Sequence, residues 1–471
     1  MSPRYDLIIV GGGILGLSHA FAALSHGLKV ALLETSPQAS LASARNFGFL
    51  TTLYHDGGIW GARAKRSREL YEMWAASGAL PLRATGSLQL LQSKAQFTAA
   101  RLLVASAPAA GISVELLDAV TARTLAPSLS CNEKDEEEGE LLGALHFPND
   151  ALLEPRAMFS SQWLPAALRK RGGTISMGVS AVKITRSEDN KEVRVLGSDG
   201  IQRVANSALL CSGTDTATLL PRVFTSETHK MRLCKLQMMK LKLPHLSPQQ
   251  QQHCGTPTLP MVLTSGLSFK RYPVLGAIAG ASAAATLRAN TDIDNNRWAA
   301  EEALGIHVIA RPAAEMQRNA WGTLTNESGA IGPLSHNEFI VGDSHEYIPL
   351  SGGNVFDDVC DEGVTTAILK VAGGMLSGVS DLVKLREGKS IKTGGAQLIS
   401  QWSGVYLEHQ DGLFSATARA DSNGIWERSD ADDNNNHNNN GNGVIHVVTG
   451  IGGKGMTMSP ALAEENILKW F

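Results

Sequence analysis

The chain has 471 residues, about three times the ~150 of a single domain, and its 43% hydrophobic residues are enough for at least two buried cores. Its 42 lysines and arginines against 45 aspartates and glutamates leave a net charge of −3, which argues against a general nucleic-acid binder and against a polybasic membrane protein. Cys131, Cys211, Cys234, Cys254 and Cys360 are odd in number, far apart and without a C-x-x-C pair, so neither a disulfide framework nor a metal site is expected.

Residues 5–10, YDLIIV, form a short apolar run suited to a strand buried on both faces. A glycine cluster ends it, helical spacing runs from Ile14 to about His26, and LKVALLE (28–34) reads as a second buried strand, which makes a βαβ unit. No apolar run reaches the roughly 18 residues of a membrane span, and MSPRYDLIIVGGG enters the folded motif without a leader pattern. The expectation is a cytoplasmic protein without membrane or nucleic-acid partners.

Farther on, 60–76 predicts an amphipathic helix, SLQLLQ a strand followed by a helix, and 155–171 a further helix. TISMGVSAVKI, EVRVLG and NSALLCSG read as strands of a meander, turning at Gly200 and returning to the sheet at 207–211. Between 230 and 350, RLCKLQMMKLKL, LSFKRYPVL, GIHVIAR and EFIVGD are short strand candidates; a helix follows at 361–375, and the chain closes with a strand, a glycine turn and a helix. The acidic stretch 131–140 and the Asn-rich tract 432–443 carry too little apolar surface to order themselves, and are read as disordered loop insertions.

The strongest chemical signal is Gly11-Gly12-Gly13-Ile14-Leu15-Gly16, a G-x-G-x-x-G between a strand and a helix. Gly11 permits a tight turn, Gly13 lets a pyrophosphate approach the backbone at the N-terminus of the helix opened by Ile14, and Gly16 allows close helix–strand packing. Glu34, 18 residues after Gly16 at the end of the second strand, is placed to accept bonds from ribose hydroxyls and disfavours a 2′-phosphate. These residues leave NAD and FAD both open. A second glycine turn, Thr449 to Thr457, again lies between strand and helix, and its N–H groups suit the anionic end of a reduced isoalloxazine. Two such turns favour FAD.

The blocks YDLIIVGGGILGL, ASARNFGFL, CKLQMM, IVGDSHEY, WSGVY and TGIGGKGMTMSPALAEE resemble the D-amino-acid oxidase-like FAD-dependent oxidoreductases, the glycine and sarcosine oxidase group, and within it a subgroup associated with phosphonate breakdown. The resemblance implies an α/β and α+β fold of two domains threaded through one another. Residues 1–85, 150–227 and 396–471 form a Rossmann-like FAD-binding domain; 86–149 and 228–395 form a substrate domain on a mostly antiparallel sheet. It also implies that Ser43, Arg45 and Asn46 wrap the pyrophosphate and flavin edge. Val179 supplies a backbone contact to adenine, Ser212-Gly213 forms a loop behind the LLC strand, and Gly453, Lys454, Gly455, Met456 and Thr457 close over the flavin pyrimidine.

One departure from the family pattern bears on substrate. Amino-acid-oxidising relatives carry an arginine in a W-x-G-x-R-P block that grips the substrate carboxylate; here Trp402-Ser403-Gly404-Val405-Tyr406-Leu407 puts Tyr406 in its place, and a phenol is no counter-charge. Replacement cations are Lys454, Arg271 and Lys235, with Arg45 nearby, and His345 and Tyr347 at the site rim. The resulting expectation is oxidation of a small amine, an aminophosphonate or its N-methyl derivative, by hydride transfer to flavin, with O2 as acceptor, in a monomer or homo-oligomer. A glycine-, sarcosine- or D-amino-acid-type oxidase and a non-catalytic FAD-binding redox partner are the rivals.

Overall fold

In a computed structural model, YDLIIV lies within the strand Arg4–Val10, inside a sheet of nine strands among the described residues. The structure describes residues 3–51, 58–129, 141–187, 189, 191–224, 228–243, 260–266, 306, 308–314, 334–350, 359–376, 378–389, 395–420, 426–429 and 443–471. Both neighbours of Arg4–Val10 are parallel to it: Val30–Glu34 on one side and Gln202–Leu210 on the other. Thr174–Met177 extends the sheet beyond the first of these and Val444–Thr449 beyond the second, again in parallel. Leu7 and Ile9 pack with the helix Ile14–Ser25, whereas Ile8 and Val10 pack into a separate core on the opposite face. Burial on both faces is why the strand is continuously apolar. The meander is present: Ala181–Arg186, Val193–Gly197 and Gln202–Leu210 pair antiparallel in turn, with Gly200 at φ +76° between the last two.

A second sheet, of nine strands among the described residues, is antiparallel there except where Val262–Thr264 runs parallel to Ser87–Leu91. Its strand Met231–Lys242, next to one edge, pairs along its whole length with Gln397–His409 on one side, and with Leu334–Gly342 and then Glu346–Pro349 on the other. The architecture is thus the expected one: a Rossmann-like sheet beside a mostly antiparallel one. Helix Glu362–Gly373 covers the core of the second sheet and is capped by Asp361, whose carboxylate accepts the Val364 N–H at 2.8 Å.

One expected helix is two. Residues 155–171 divide into Pro155–Met158 and Leu164–Lys170, each with a proline in its first turn, where the missing N–H costs least. Those prolines mark two starts, which periodicity alone had merged. The strand candidate LSFKRYPVL and almost all of the acidic and Asn-rich inserts lie outside the described residues. Among the described residues, no helix is long and apolar enough to cross a membrane.

The C-terminal helix Gly455–Trp470 packs on Ile14–Ser25 and on Ile59–Ala76. Its end is held by aromatic stacking: Trp470 lies 4.0 Å from the His446 ring at 7°, and 5.8 Å from His19 at 13°. The Nδ1–H of His19 donates to Leu15 O at 2.7 Å, leaving Nε2 to accept from the Asn466 amide at 3.1 Å. Burial lowers the imidazole of His19 to about 4, and burial together with the neighbouring His19 lowers His446 to about 3. Between the ordinary value of 6.5 and these values, the unfolded chain binds protons that the folded chain refuses. Stability therefore falls as pH drops below 6.5, and this loss levels off below about 4 for His19 and about 3 for His446. At ~1.36 kcal/mol per unit, His19 alone accounts for roughly 3 kcal/mol. Denaturant unfolding from pH 7.5 to 4.5 should show this slope, and His446→Gln should flatten part of it; an unchanged slope in that variant removes His446 from the explanation.

Candidate active site

The first glycine turn is held from several sides. Gly11 donates its N–H to Leu33 O at 2.8 Å and has φ +106°; a Cβ there would stand 2.5 Å from Cys211 O. A Cβ on Gly16 would lie 1.9 Å from Gly11 O, so the helix crosses the strand end at a distance only glycine permits. Gly13 is the N-cap and gives no side-chain cap; Ser43 Oγ instead accepts the Ile14 N–H at 3.0 Å. Glu34 accepts the N–H of Gly12 at 2.6 Å and that of Ser36 at 2.9 Å, and its carbonyl accepts from Val179 N at 2.8 Å.

The loop around residues 40–48 comes next. Asn46 organises it, donating to Ala42 O and Ser43 O and accepting the Gly48 N–H at 2.7 Å. Arg45 donates from Nε to Ser40 O at 2.8 Å and from Nη1 to Ser403 O at 3.1 Å, which ties the loop to the strand Gln397–His409. At the other end of the chain, Val444–Thr449 leads through Gly450 and Gly452, both with positive φ, into the C-terminal helix. Thr449 Oγ1 donates to Gly213 O at 3.3 Å, Ser212 and Thr216 share a hydroxyl hydrogen bond at 3.0 Å, and Tyr71 donates to Met456 O at 2.6 Å.

A cavity of about 320 Å³ lies between the two glycine turns and the second sheet. Gly13, Ile14, Ser43, Arg45, Asn46, Gly213 and every residue from Gly453 to Thr457 line it. Gly11, Gly16, Glu34, Val179 and Ser212 do not; they shape the turns behind the lining. The two helix N-termini at its wall, after Gly13 and Lys454, lack a side-chain cap of their own. Helix starts of this kind favour anionic groups. A tight glycine cradle, two such termini and an apolar sheet wall fit a dinucleotide with a flat aromatic ring, and Gly13, Ile14, Ser43 and the 453–457 turn would hold it.

The substrate-side residues stand on the second sheet. Alternation along Met231–Lys242 sends Leu236 and Met238 to the cavity, with Cys234 on the same face, and Lys235 to the opposite one. Tyr347, Cys234 and Tyr406 lie side by side across three strands. Burial, reinforced by Cys234, raises the Tyr406 hydroxyl well above its usual range, so it is a neutral phenol. The Tyr406 hydroxyl lies 3.5 Å from where a Cβ on Gly453 would sit.

Lys454 lines the cavity, yet its Nζ stands 4.7 Å from the ring centroid of Trp60 and beside Gly412. His345 and Asp343 both line the cavity, with His345 Nε2 3.7 Å from Asp343 Oδ2. Arg271 lies outside the described residues.

Three further features had no reading in the sequence. Asp343 sits two residues before His345 in GDSHEY, and that period-2 spacing was the available signal. Glu154 and Arg311 form a buried ion pair at 2.6 Å. Arg156 lies over the Trp402 ring at 4.8 Å, and burial together with the charges of Arg45 and Arg311 lowers its guanidinium below the ordinary value. These distant segments meet only in the fold.

The sequence model of the family described as FAD dependent oxidoreductase matches residues 6–466. No curated protein sequence matches the chain. Among solved structures, glycine oxidase from Bacillus cereus is similar at 16% identity, with a TM-score of 0.61 over 98% of this chain and 94% of that one. L-proline dehydrogenase from P. horikoshii gives 13% and 0.62 over 99% and 93%. FAD-bound L-α-glycerophosphate oxidase from Mycoplasma pneumoniae gives 13% and 0.60 over 99% and 95%. At such identities the structures report the fold, while the family match over nearly the whole chain, together with the glycine cradle and cavity, shows that this chain belongs to the FAD-dependent oxidoreductases.

Proposed function

We propose that this oxidoreductase removes a hydride from the carbon next to nitrogen in a small amine, and that the resulting imine hydrolyses to a carbonyl product, with O2 as the final acceptor. The observation that carries the amine is the carboxylate of Asp343 in the cavity wall, its side chain only 10% exposed, a counter-charge for an ammonium. Bound FAD supplies the hydride acceptor; the chain's own residues orient the substrate, exclude water and match its charge. Phe47, Phe49, Leu236, Met238 and Ile309 make the apolar wall that keeps water out. The structural neighbours named for glycine and for proline oxidation agree with an amine.

The finer reading is an aminophosphonate or its N-methyl derivative. Arg156 is acted on by the charges of both Arg45 and Arg311; of the three, Arg45 lines the cavity while Arg156 and Arg311 stand behind the lining, and Arg311 is paired with Glu154. That local excess of positive charge suits a multiply charged anionic end better than the neutral phenol of Tyr406 does. The cofactor and substrate domains carry the boundaries given above as part of the same proposal, except that Gln397–His409, counted there with the cofactor domain, is a strand of the second sheet. Arg45, His345 and Tyr406 face the substrate, Lys454 is at the flavin side, and Gly11, Gly13, Ile14, Gly16, Glu34, Ser43, Asn46, Val179, Ser212, Gly213 and Gly453 to Thr457 shape or line the FAD site.

Anaerobic bleaching of the flavin by 2-aminoethylphosphonate, its N-methyl derivative, sarcosine and glycine tests this. The phosphonates are expected to reduce the flavin fastest. Preference for glycine or sarcosine overturns the phosphonate, and failure of every amine overturns the amine. Peroxide formed in air then separates an oxidase from a dehydrogenase.

A further inference from the structure

The strand at the edge of the cavity changes face partway along. Leu334–Gly342 pairs with Met231–Lys242 in a register that sets Gly342 opposite Met238, whereas Glu346–Pro349, continuing the same chain, sets Glu346 opposite Lys235. Three residues, Asp343, Ser344 and His345, therefore stand against two, Leu236 and Gln237. This is a β-bulge, a device that re-aims side chains. One extra residue reverses the facing of everything beyond it.

In unbroken register, Ser344 and Glu346 would share the cavity face with Gly342. With the bulge, Asp343, His345 and Tyr347 line the cavity. The hydroxyl of Ser344 instead accepts the Gln237 N–H at 3.1 Å. Gln237 is itself anchored, its amide donating to Asp361 O at 3.1 Å and to Thr365, and accepting from Asp361 N at 2.8 Å. The bulge is thus pinned to the start of helix Glu362–Gly373. It holds an imidazole 7% exposed and a carboxylate 10% exposed together in the cavity wall.

An amine arrives at neutral pH as an ammonium, whose nitrogen has no lone pair to assist departure of a hydride from the adjacent carbon. A base with a pKa near neutrality removes that obstacle, and imidazole is the side chain with that property. A carboxylate beside it stabilises by its charge the imidazolium that forms.

We propose that His345, backed by Asp343, is the group that takes the proton from the substrate ammonium, an assignment that rests on the amine reading above. The N–H bond of the ammonium breaks, its electron pair stays on nitrogen as the lone pair, and the proton bonds to the ring nitrogen of His345 remote from Asp343. Nε2 is the ring nitrogen nearer the carboxylate, 3.7 Å from Asp343 Oδ2.

Other ionisable groups share this end of the cavity. Tyr406 is held neutral, with Cys234 beside it and Tyr347 beyond. Glu408 is paired with Arg232 at 2.8 Å, and Arg232 also lies over the Tyr347 ring at 3.7 Å. Arg45 and Lys454 are the basic residues of the lining, while Lys235 and Glu346 face away from it.

The test uses the FAD-loaded full chain. Anaerobic flavin reduction by 2-aminoethylphosphonate and by sarcosine is followed against pH in the wild type, H345Q and D343N. Wild-type reduction should rise with pH through one inflection. In H345Q the rate at neutral pH should fall about 10²- to 10⁴-fold, and recover above about pH 10, where amines lose their proton unaided. In D343N the inflection should move to lower pH, because the imidazolium loses its counter-charge.

Binding gives a second readout that needs no turnover. (2-Amino-2-methylpropyl)phosphonate and 2-amino-2-methylpropanoate have no hydrogen on the carbon bearing nitrogen, and their affinity is read from the visible flavin spectrum. Affinity should rise through the same inflection in the wild type and lose that inflection in H345Q. An H345Q profile superimposable on the wild type, in reduction or in binding, overturns the assignment while leaving the amine reading in place. If neither amine reduces the wild-type flavin, the amine reading falls and the assignment falls with it.

Discussion

Gly16→Ala is expected to yield a protein without bound flavin. In an ordinary exposed helix interior, alanine is preferred to glycine by roughly 1 kcal/mol. Here the sign reverses. A Cβ at this position would sit 1.9 Å from Gly11 O and 3.3 Å from Ile9 Cγ2, and both belong to a strand and turn that other bonds hold fixed. The helix must then shift off the strand, which opens the turn from Gly11 to Ile14 and moves the helix N-terminus that faces the cavity. Overpacking of this kind costs about 1–3 kcal/mol, spent at the site where the cofactor must approach the backbone. The purified variant should lack the visible flavin absorbance while remaining folded by far-ultraviolet circular dichroism. Gly27→Asn is the control: Gly27 has φ +78° but nothing within 4 Å of a Cβ, and asparagine tolerates that backbone, so flavin should be retained. Full flavin content in Gly16→Ala would show that the close helix–strand crossing is not what shapes the cradle.

The second large effect belongs to Glu154. Its carboxylate meets Arg311 at 2.6 Å and again at 3.3 Å, and the Arg311 side chain is 3% exposed. Arg311 Nε has no hydrogen-bond partner among the described residues and Nη1 adds only a long bond to Pro312 O at 3.4 Å, so the Glu154 carboxylate carries most of the compensation of the buried guanidinium. Glu154→Gln leaves a buried charge uncompensated and should destabilise the protein by about 3–5 kcal/mol. The double variant Glu154→Gln, Arg311→Met should regain most of that loss, because it removes the stranded charge as well. Denaturation midpoints of the two single variants and the double variant measure the coupling. A single variant costing less than about 1 kcal/mol would mean that water reaches the pair.

The βαβ unit and its glycines were legible because they are local. A run of apolar residues, a turn that needs a positive φ at Gly11, and a helix that starts at Ile14 all follow from neighbours in sequence. The second glycine turn was legible for the same reason, since Val444–Thr449 and Gly455–Trp470 flank it directly. The contacts at Arg45 show the limit. Its place in a loop near the cofactor followed from a family resemblance, but its bond to Ser403, 358 residues away, comes from the pairing of sheet strands around it.

Lys454 shows the limit differently. Its position at a helix entry made it the first cation to consider for substrate, and in the folded chain its ammonium rests over Trp60, which arrives from another helix. The break between Pro155–Met158 and Leu164–Lys170 was missed because periodicity reports an apolar face and does not report where one helix stops and another restarts on that face.

By itself the sequence determined the glycine turns that suit a dinucleotide, since they depend on residue identities at short spacing; the two-sheet architecture and the arginine missing from the WSGVY block were legible through the family resemblance. Only the tertiary structure decided which side chains enter the cavity. A strand's facing alternates every residue, so the single extra residue between Gly342 and Glu346 turns Asp343, His345 and Tyr347 inward. Whether that residue is absorbed as a bulge depends on what the opposite strand pairs with. For Met231–Lys242 that pairing is set by register against strands from two separate parts of the chain, residues 334–349 and 397–409, which no local reading of GDSHEY contains.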